Sequence, residues 1–406
     1  HLSMRGVVRN PWVKIWASLS YALIPALTVS VRDGRVGTVV LAVLFPPLVR
    51  AAVHLIGKGA APAGDRAPWA TGLLLAAAGA FAPIVWLVAA VCAVVAGMTI
   101  IRDKATRLAM VIALAVPLVV WVPWSFTLLT HPQQFLLEAG VPAGGPPPVA
   151  LSPWSVLGLS AGGAGAAWWG LTAGLLLAAV LALASRARRA LLMVLWSIGG
   201  GLLVAAVVLA RTSVPSINSG PVPLWSGPLV VMAAALLLAA AAVGNESVVN
   251  RLSARAFSLR QLAVVAVAGL ALLAPVTSAL VWLRDGADGP VQKTTDSQVP
   301  AFVALAAQGP AQPRTLVLRS TAGRIDYSLV RGGRLQWGDA EVSPPLSSVR
   351  GLDAVVSDLA AGRGGIEAQR LAAYAIGYVL VRAPVPVDLA RQLTAAPGLV
   401  KAAAPD

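Results

Sequence analysis

Along the first two-thirds of the chain, apolar residues run almost unbroken in segments of about 20, separated by short polar stretches. A run of that length is what an α-helix needs to cross a hydrocarbon layer, where only helices and closed barrels satisfy their own backbone groups. Eight segments stand out: 12–31, 37–56, 69–101, 108–129, 165–185, 190–210, 225–243 and 261–283. The third exceeds one crossing and carries Pro83 near its middle. It reads either as one tilted, kinked helix or as a tight pair of short crossings.

The polar stretches alternate in charge. Basic residues gather at Arg5/Arg9/Lys14, Arg50/Lys58/Arg66, Arg102/Lys104/Arg107, Arg186/Arg188/Arg189 and Arg251/Arg255/Arg260. The opposite side holds only Arg32, Arg35, Arg211 and Arg284. Lys and Arg collect in loops that stay cytoplasmic, so the loops near residues 58, 104, 188 and 255 read as cytoplasmic. Residues 130–153, 211–224 and everything after 284 then lie outside. Placing 57–68 and 102–107 on one side requires an even number of crossings between them, which favours the hairpin and nine crossings.

After residue 284 the pattern shortens. Thr315–Arg319, Ile325–Val330 and Tyr378–Arg382 read as strands, while 349–361, 367–375 and 387–395 have helical periodicity. That alternation suggests a small α/β layer with some parallel pairing. The expected fold class is therefore mainly α: a polytopic helical membrane domain of eight to nine crossings (1–284), a linker (285–299) and an extracytoplasmic α/β domain (300–406). The expected location is the plasma membrane. Residues 152–164 are too Gly-rich for a crossing and are expected to dip into the membrane interface. Trp121, Trp124, Trp154, Trp168, Trp169 and Trp225 fall near the external helix ends, as an aromatic belt would.

Composition narrows the classes further. The chain is 58% hydrophobic and 12% charged, half the charge of a usual soluble domain. Its net charge of +15 resides in the apolar part: residues 1–284 hold 19 Lys/Arg against 5 Asp/Glu, and 285–406 hold 12 against 11. That is the signature of sidedness in a bilayer, and no nucleic-acid-binding motif accompanies it. Cys92 is the only cysteine, which excludes an internal disulfide and a Cys-based zinc cluster. His1, His54 and His131 show no metal-ligand spacing, and there is no P-loop or GxGxxG. No cofactor is expected in this segment. Asn245-Glu246-Ser247 matches a glycosylation sequon but falls in a loop read as cytoplasmic. A chain that begins with His reads as an excised part of a longer protein.

None of the five acids before residue 284 lies mid-span, which argues against an ion-coupled carrier. An acid at the external edge has another use, since a carboxylate there can deprotonate an acceptor hydroxyl while neighbouring arginines hold a lipid phosphate. Val31-Arg32-Asp33-Gly34-Arg35 supplies one acid between two arginines. Asp33 and, second, Glu138 are the catalytic candidates, with His131 near the latter; Arg32 and Arg35 are the lipid-phosphate candidates. A solvated turn whose charges merely avoid the membrane would look the same in sequence.

Several stretches together resemble a known family: Trp16-Ala17-Ser18-Leu19-Ser20-Tyr21-Ala22-Leu23-Ile24-Pro25, Gly34-Arg35-Val36-Gly37-Thr38, Val122-Pro123-Trp124-Ser125, His131-Pro132, Leu224-Trp225-Ser226-Gly227-Pro228 and Gly377-Tyr378-Val379-Leu380-Val381. In this order they are similar to the membrane-embedded C-terminal half of large actinobacterial family 2 glycosyltransferases. The resemblance implies a nucleotide-sugar catalytic domain upstream in the same protein, a multi-pass region and an extracytoplasmic α/β tail. It implies a role in assembling cell-envelope polysaccharide or glycolipid, with a polyprenyl-phosphate-linked sugar or growing glycan as partner alongside the bilayer. No DxD triplet is present, so no catalytic residue carries over. Two other readings stay open: a non-enzymatic scaffold or flippase-like module, and a self-sufficient polyprenyl-phosphate-sugar-dependent transferase.

Overall fold

The computed structural model describes residues 8, 10–57, 66–139, 153–162, 172–185, 188–215, 221–252, 259–285, 299–321, 324–330, 351–363 and 365–402. It is mainly helical with a small sheet, and it divides into two compact units, one built from the apolar helices and the other from the tail together with Val214 and Val222.

The first unit contains α1 (Pro11–Ala22), α2 (Pro25–Arg32), α3 (Val36–Gly57), α4 (Ala67–Phe81), α5 (Ile84–Thr99), α6 (Lys104–Val120), α7 (Trp124–Thr130), α8 (Pro153–Leu157), α9 (Ala173–Ala182), α10 (Arg189–Leu209), α11 (Gly227–Leu252) and α12 (Leu259–Asp285). A ribbon of β1 (Ser213–Pro215) and β2 (Pro221–Pro223) follows α10 in the chain and falls mostly in the second unit. Among the described residues four helical stretches are long and apolar enough to cross a bilayer: Pro11–Arg32, Val36–Gly57, Arg189–Leu209 and Gly227–Asn245. The apolar helices α4, α5 and α9 are shorter. The 15 residues of α4, for example, reach about 22 Å, less than a hydrocarbon core of roughly 30 Å.

Local chemistry sets the helix ends. Asn10 caps α1, its side chain accepting from the Trp12 and Val13 backbone N–H groups, with Pro11 at the first helical position. Pro25 restarts the chain as α2 after a break at Leu23–Ile24, so the expected 12–31 segment is one interrupted helix. Asp103 caps α6 through the Thr106 N–H at 2.8 Å. The helix α11 is apolar on every side and correspondingly central; Val230, Val231, Met232, Ala233 and Ala234 are wholly buried.

The long run 69–101 folds as two helices broken at Ala82–Pro83. Ala67 at the start of α4 packs into the same cluster as Leu55 and as Ile101 just past α5, so the segment doubles back. The opposite end of the bundle brings Gly37 against the Phe81 carbonyl.

Two expectations are corrected here. The straight span over 108–129 is absent: α7 leaves α6 at 108°, because Pro123 disfavours helical geometry at Val122 and Trp121 turns inward against Gly79. In the segment expected to dip into the membrane interface, Val156, Leu159, Ser160 and Ala161 are fully buried while Trp154 and Leu157 are exposed, and the Ala26 N–H donates to the Leu159 carbonyl at 2.9 Å. Trp121 and Trp225 are buried, with their indole N–H groups donating to Ala76 O and Thr38 Oγ1 at 3.0 Å each, so the belt explanation fails for both. Trp16, Trp86 and Trp196 likewise donate to carbonyls of other helices. Where packing excludes water, an indole N–H must find its partner inside the bundle. Trp154 is exposed, while Trp168 and Trp169 lie outside the described residues, as does most of the expected linker (286–298).

The second unit holds α13 (Ala301–Gln308), β3 (Arg314–Thr321), β4 (Arg324–Val330), α14 (Leu352–Ala360), α15 (Glu367–Ala373), β5 (Ile376–Arg382) and α16 (Val387–Ala395). Its three-stranded sheet has the order β4-β3-β5. β3 pairs antiparallel with β4 and parallel with β5, with Leu318 opposite Tyr327 and Val381. The parallel pair requires a crossover connection, and α14 and α15 lie in it. Leu352, Val355, Val356 and Leu359 repeat at helical spacing and pack on Leu316 and Leu318.

Candidate functional site

At one end of the first unit, four elements meet around a buried carboxylate. Glu138 follows a short 3₁₀ turn (Pro132–Leu136), and its side chain is only 3% exposed. The returning strand of chain is pinned by the Ala139 N–H, which donates to the Phe81 carbonyl at 3.0 Å. Gly37 makes room for it: a Cβ there would lie 2.7 Å from Phe81 O and 3.1 Å from Glu138 Oε1. The 108° bend after α6 is what delivers Glu138 to this place.

The partners of Glu138 come from the turn between α2 and α3 and from the start of α11. The Thr38 hydroxyl donates to Glu138 Oε1. The Trp225 indole donates to Thr38 Oγ1 at 3.0 Å. Arg35 Nη1 stands 3.8 Å from Glu138 Oε2, and its guanidinium carbon lies 4.6 Å from the centre of the Trp225 ring, within cation–π range. An indole N–H can only donate, so Thr38 must accept there and send its single proton to Glu138. Oε1 is thereby fixed as an acceptor. A proton taken up by Glu138 must sit on Oε2, which has no hydrogen bond. Burial pushes the Glu138 carboxyl up from the ordinary carboxylate value, while the Arg35 charge and the Thr38 bond pull it down.

Of the residues singled out in the sequence, Arg35 and Glu138 are thus brought together, a lipid-phosphate candidate with a catalytic candidate. Asp33 closes α2, its backbone N–H bonding Val29 O. Its Oδ1 and the Nε of Arg32 are both buried without a hydrogen-bond partner. Burial raises the Asp33 carboxyl too, against the lowering charges of Arg35 and Arg32. His131 sits exposed, its Nδ1 3.0 Å from the Thr130 hydroxyl. Among the described residues no cluster of three or more His, Cys, Asp or Glu could hold a metal. Thr38 and Trp225 were not singled out as site residues from sequence. Only their place in the Gly34–Thr38 and Leu224–Pro228 stretches could have flagged them, because nothing local tells a threonine on an apolar helix which carboxylate it will meet.

Beside this node lies an apolar groove of about 450 Å³ between α1, α2, α3 and α12, lined by Leu27, Val31, Val39, Val43, Pro46 and Trp282 among others. Both of its hydroxyls are already used, Tyr21 donating to Ala42 O at 2.8 Å and Thr28 to carbonyls of its own helix, and the Trp282 indole also lines it.

Compared with known protein families, curated proteins and solved structures, the chain matches none of them.

Proposed function

We propose that the chain is the membrane region of a glycosyltransferase of cell-envelope polysaccharide or glycolipid assembly, handling a lipid-linked substrate or growing glycan. In this reading the bundle crosses the plasma membrane eight or nine times, a nucleotide-sugar domain upstream in the same protein supplies the sugar, and residues 285–406 lie outside the cytoplasm. The observation that carries the reading is the Arg35–Glu138 pair, with Thr38 and Trp225, held at one end of an otherwise apolar helix bundle. Burying a carboxylate and a guanidinium costs several kcal/mol per ion before their attraction offsets it, so plain packing would not call for the pair. A site that must recognise a polar headgroup at a membrane edge would.

The charge pattern supports the orientation. The node end carries the α2–α3 turn and the start of α11, whereas Arg66, Arg102, Lys104 and Arg107 flank the cluster of Leu55, Ala67 and Ile101 at the far end of α3 and α4. The test is to replace Glu138 by Ala in the full-length protein in its native membrane and measure lipid-linked glycan output. The expected result is at least about a tenfold loss, the scale of one charge-assisted contact, while nucleotide-sugar binding by the upstream domain persists. Undiminished output from a stably folded Glu138→Ala protein would overturn the reading in favour of a scaffold.

A further inference from the structure

We infer that α7 lies in the plane of a membrane surface with Val122, Phe126 and Leu129 seated in lipid, and that this contact holds Glu138 in place beside Arg35. Such a seat needs a bilayer around the bundle but no particular reaction.

Charge fixes one end of α6. Arg102, Asp103 and Lys104 are exposed at its start, and Arg107 follows in the first turn. From there to Glu138 the sequence has no Lys, Arg, Asp or Glu. The 17 residues of α6 rise about 25 Å, so the bend at Trp121–Pro123 comes close to the opposite edge of a hydrocarbon core of roughly 30 Å. There α7 departs at 108°, near enough to perpendicular that an ordinary helix tilt of about 20° lays it along the membrane plane. Leu108, Val111, Ala115 and Val119 form an exposed apolar row on α6, and exposed Val122 continues it to the bend.

The two faces of α7 differ. Phe126 and Leu129, three residues apart and so on one face, are 64% and 57% exposed. Ser125 and Leu128 are buried on the other, where Leu128 clusters with Trp121 and Phe135. An amphipathic helix with an exposed apolar face is what a membrane interface takes up. At seven residues, about 10 Å, α7 offers far less than the roughly 800 Å² per partner of a stable protein interface, which favours lipid over a second copy. The buried face leads to the site. Phe135 stacks on Trp86 with ring centres 5.4 Å apart, and the Ala139 N–H is bonded to Phe81 O. Glu138 lies between those two attachments, so α7, Phe135 and Glu138 form one packed cap. Lifting the cap off Arg35 would draw Phe126 and Leu129 out of lipid into water, which the hydrophobic effect opposes.

The experiment places a fluorophore on one cysteine at a time in a Cys92→Ala chain, in phosphatidylcholine vesicles carrying a nitroxide either near the headgroup or near the chain end. Labels on Phe126→Cys and Leu129→Cys should be quenched more by the headgroup-side nitroxide, and a label on Ala115→Cys, midway along α6, more by the deep one. Amide exchange at Ala139 reads the hold on Glu138. Phe126→Asp combined with Leu129→Asp should speed it on the order of tenfold, the equilibrium factor for one apolar side chain moved into water. Phe126→Ser alone should act in the same direction, Phe126→Leu should leave it unchanged, and exchange in α10 should stay constant throughout. A Phe126 label quenched by neither nitroxide while the Ala115 label is quenched, or quenched most by the deep one as in a re-entrant helix, overturns the seat in lipid. Unchanged Ala139 exchange in both polar variants overturns the hold on Glu138. An Ala115 label quenched by neither removes the bilayer around the bundle, and the seat with it.

Discussion

Arg35 Nη1 lies 3.8 Å from Glu138 Oε2, tying the α2–α3 turn to the chain that returns from α7. The two side chains differ in what surrounds them. Glu138 is closed off, whereas Arg35 retains some solvent access and the Trp225 ring. Removing the base of the pair therefore has a different consequence from removing the acid.

Arg35→Ala leaves a buried carboxylate without its cation and should destabilise the fold by about 3–5 kcal/mol at neutral pH, the range for orphaning one partner of a buried pair. Glu138→Gln keeps an acceptor for Thr38 and leaves Arg35 stacked on Trp225, so about 1–2 kcal/mol is expected. Thermal unfolding of both variants in detergent checks the order. Equal losses would mean that Glu138 is already neutral in the native chain.

Stability should depend on pH through the same carboxyl. Burial raises its folded value above the ordinary one, so between the two values the native state holds a proton that the unfolded chain has released. This contribution is fully present below the ordinary carboxylate value and is lost as pH rises through the raised one. Taken from about pH 8 to about pH 5, the native chain should gain stability relative to Glu138→Gln. Asp33, raised in the neighbouring turn, shifts in the same sense, so the comparison belongs in an Asp33→Asn background.

Close helix contacts make a third prediction. A Cβ on Gly174 would clash with the Leu270 carbonyl oxygen, backbone that cannot rotate away, whereas a Cβ on Gly200 meets nothing within 4 Å. Gly174→Ala should cost about 1–3 kcal/mol by forcing α9 from α12. Gly200→Ala should be neutral or slightly stabilising through helix propensity. Unfolding midpoints of the two single variants decide it.

Sidedness can be read with one cysteine at a time in a Cys92→Ala background. A cysteine at Ser213, exposed in β1, should be blocked by a membrane-impermeant reagent in intact cells. One at Arg102, exposed between α5 and α6, should react only after lysis. The reverse pattern would invert the orientation.

In the tail, Leu318 is fully buried at the centre of the sheet, and Leu318→Ala should cost about 2–5 kcal/mol. Val387→Ala, at a 74% exposed position in α16, should cost little. A residue 293–406 fragment carrying each change should show the difference as a shift in a cooperative melt; a fragment without a cooperative melt would show that the tail needs the rest of the chain.

The order of apolar helices, their break at Pro83 and the strands at 315–319, 325–330 and 378–382 were legible in the amino-acid sequence by itself. Periodicity and proline chemistry act over a few neighbouring residues, and so leave their mark locally. The bend at Trp121–Pro123 was hidden inside a run that stays apolar through residue 129, since hydropathy does not record direction. Which polar groups meet was decided only by the tertiary structure. Arg35 reads equally well as a solvated turn residue, Thr38 as one of many small residues on an apolar helix and Trp225 as a member of an interfacial belt. They converge on Glu138 because Gly37 lets the chain past Phe81, the bend after α6 brings that chain back, and α11 enters the centre of the bundle at Gly227. Each of those contacts joins residues far apart in sequence, and a polar side chain buried away from water has to take the partner that packing puts within reach.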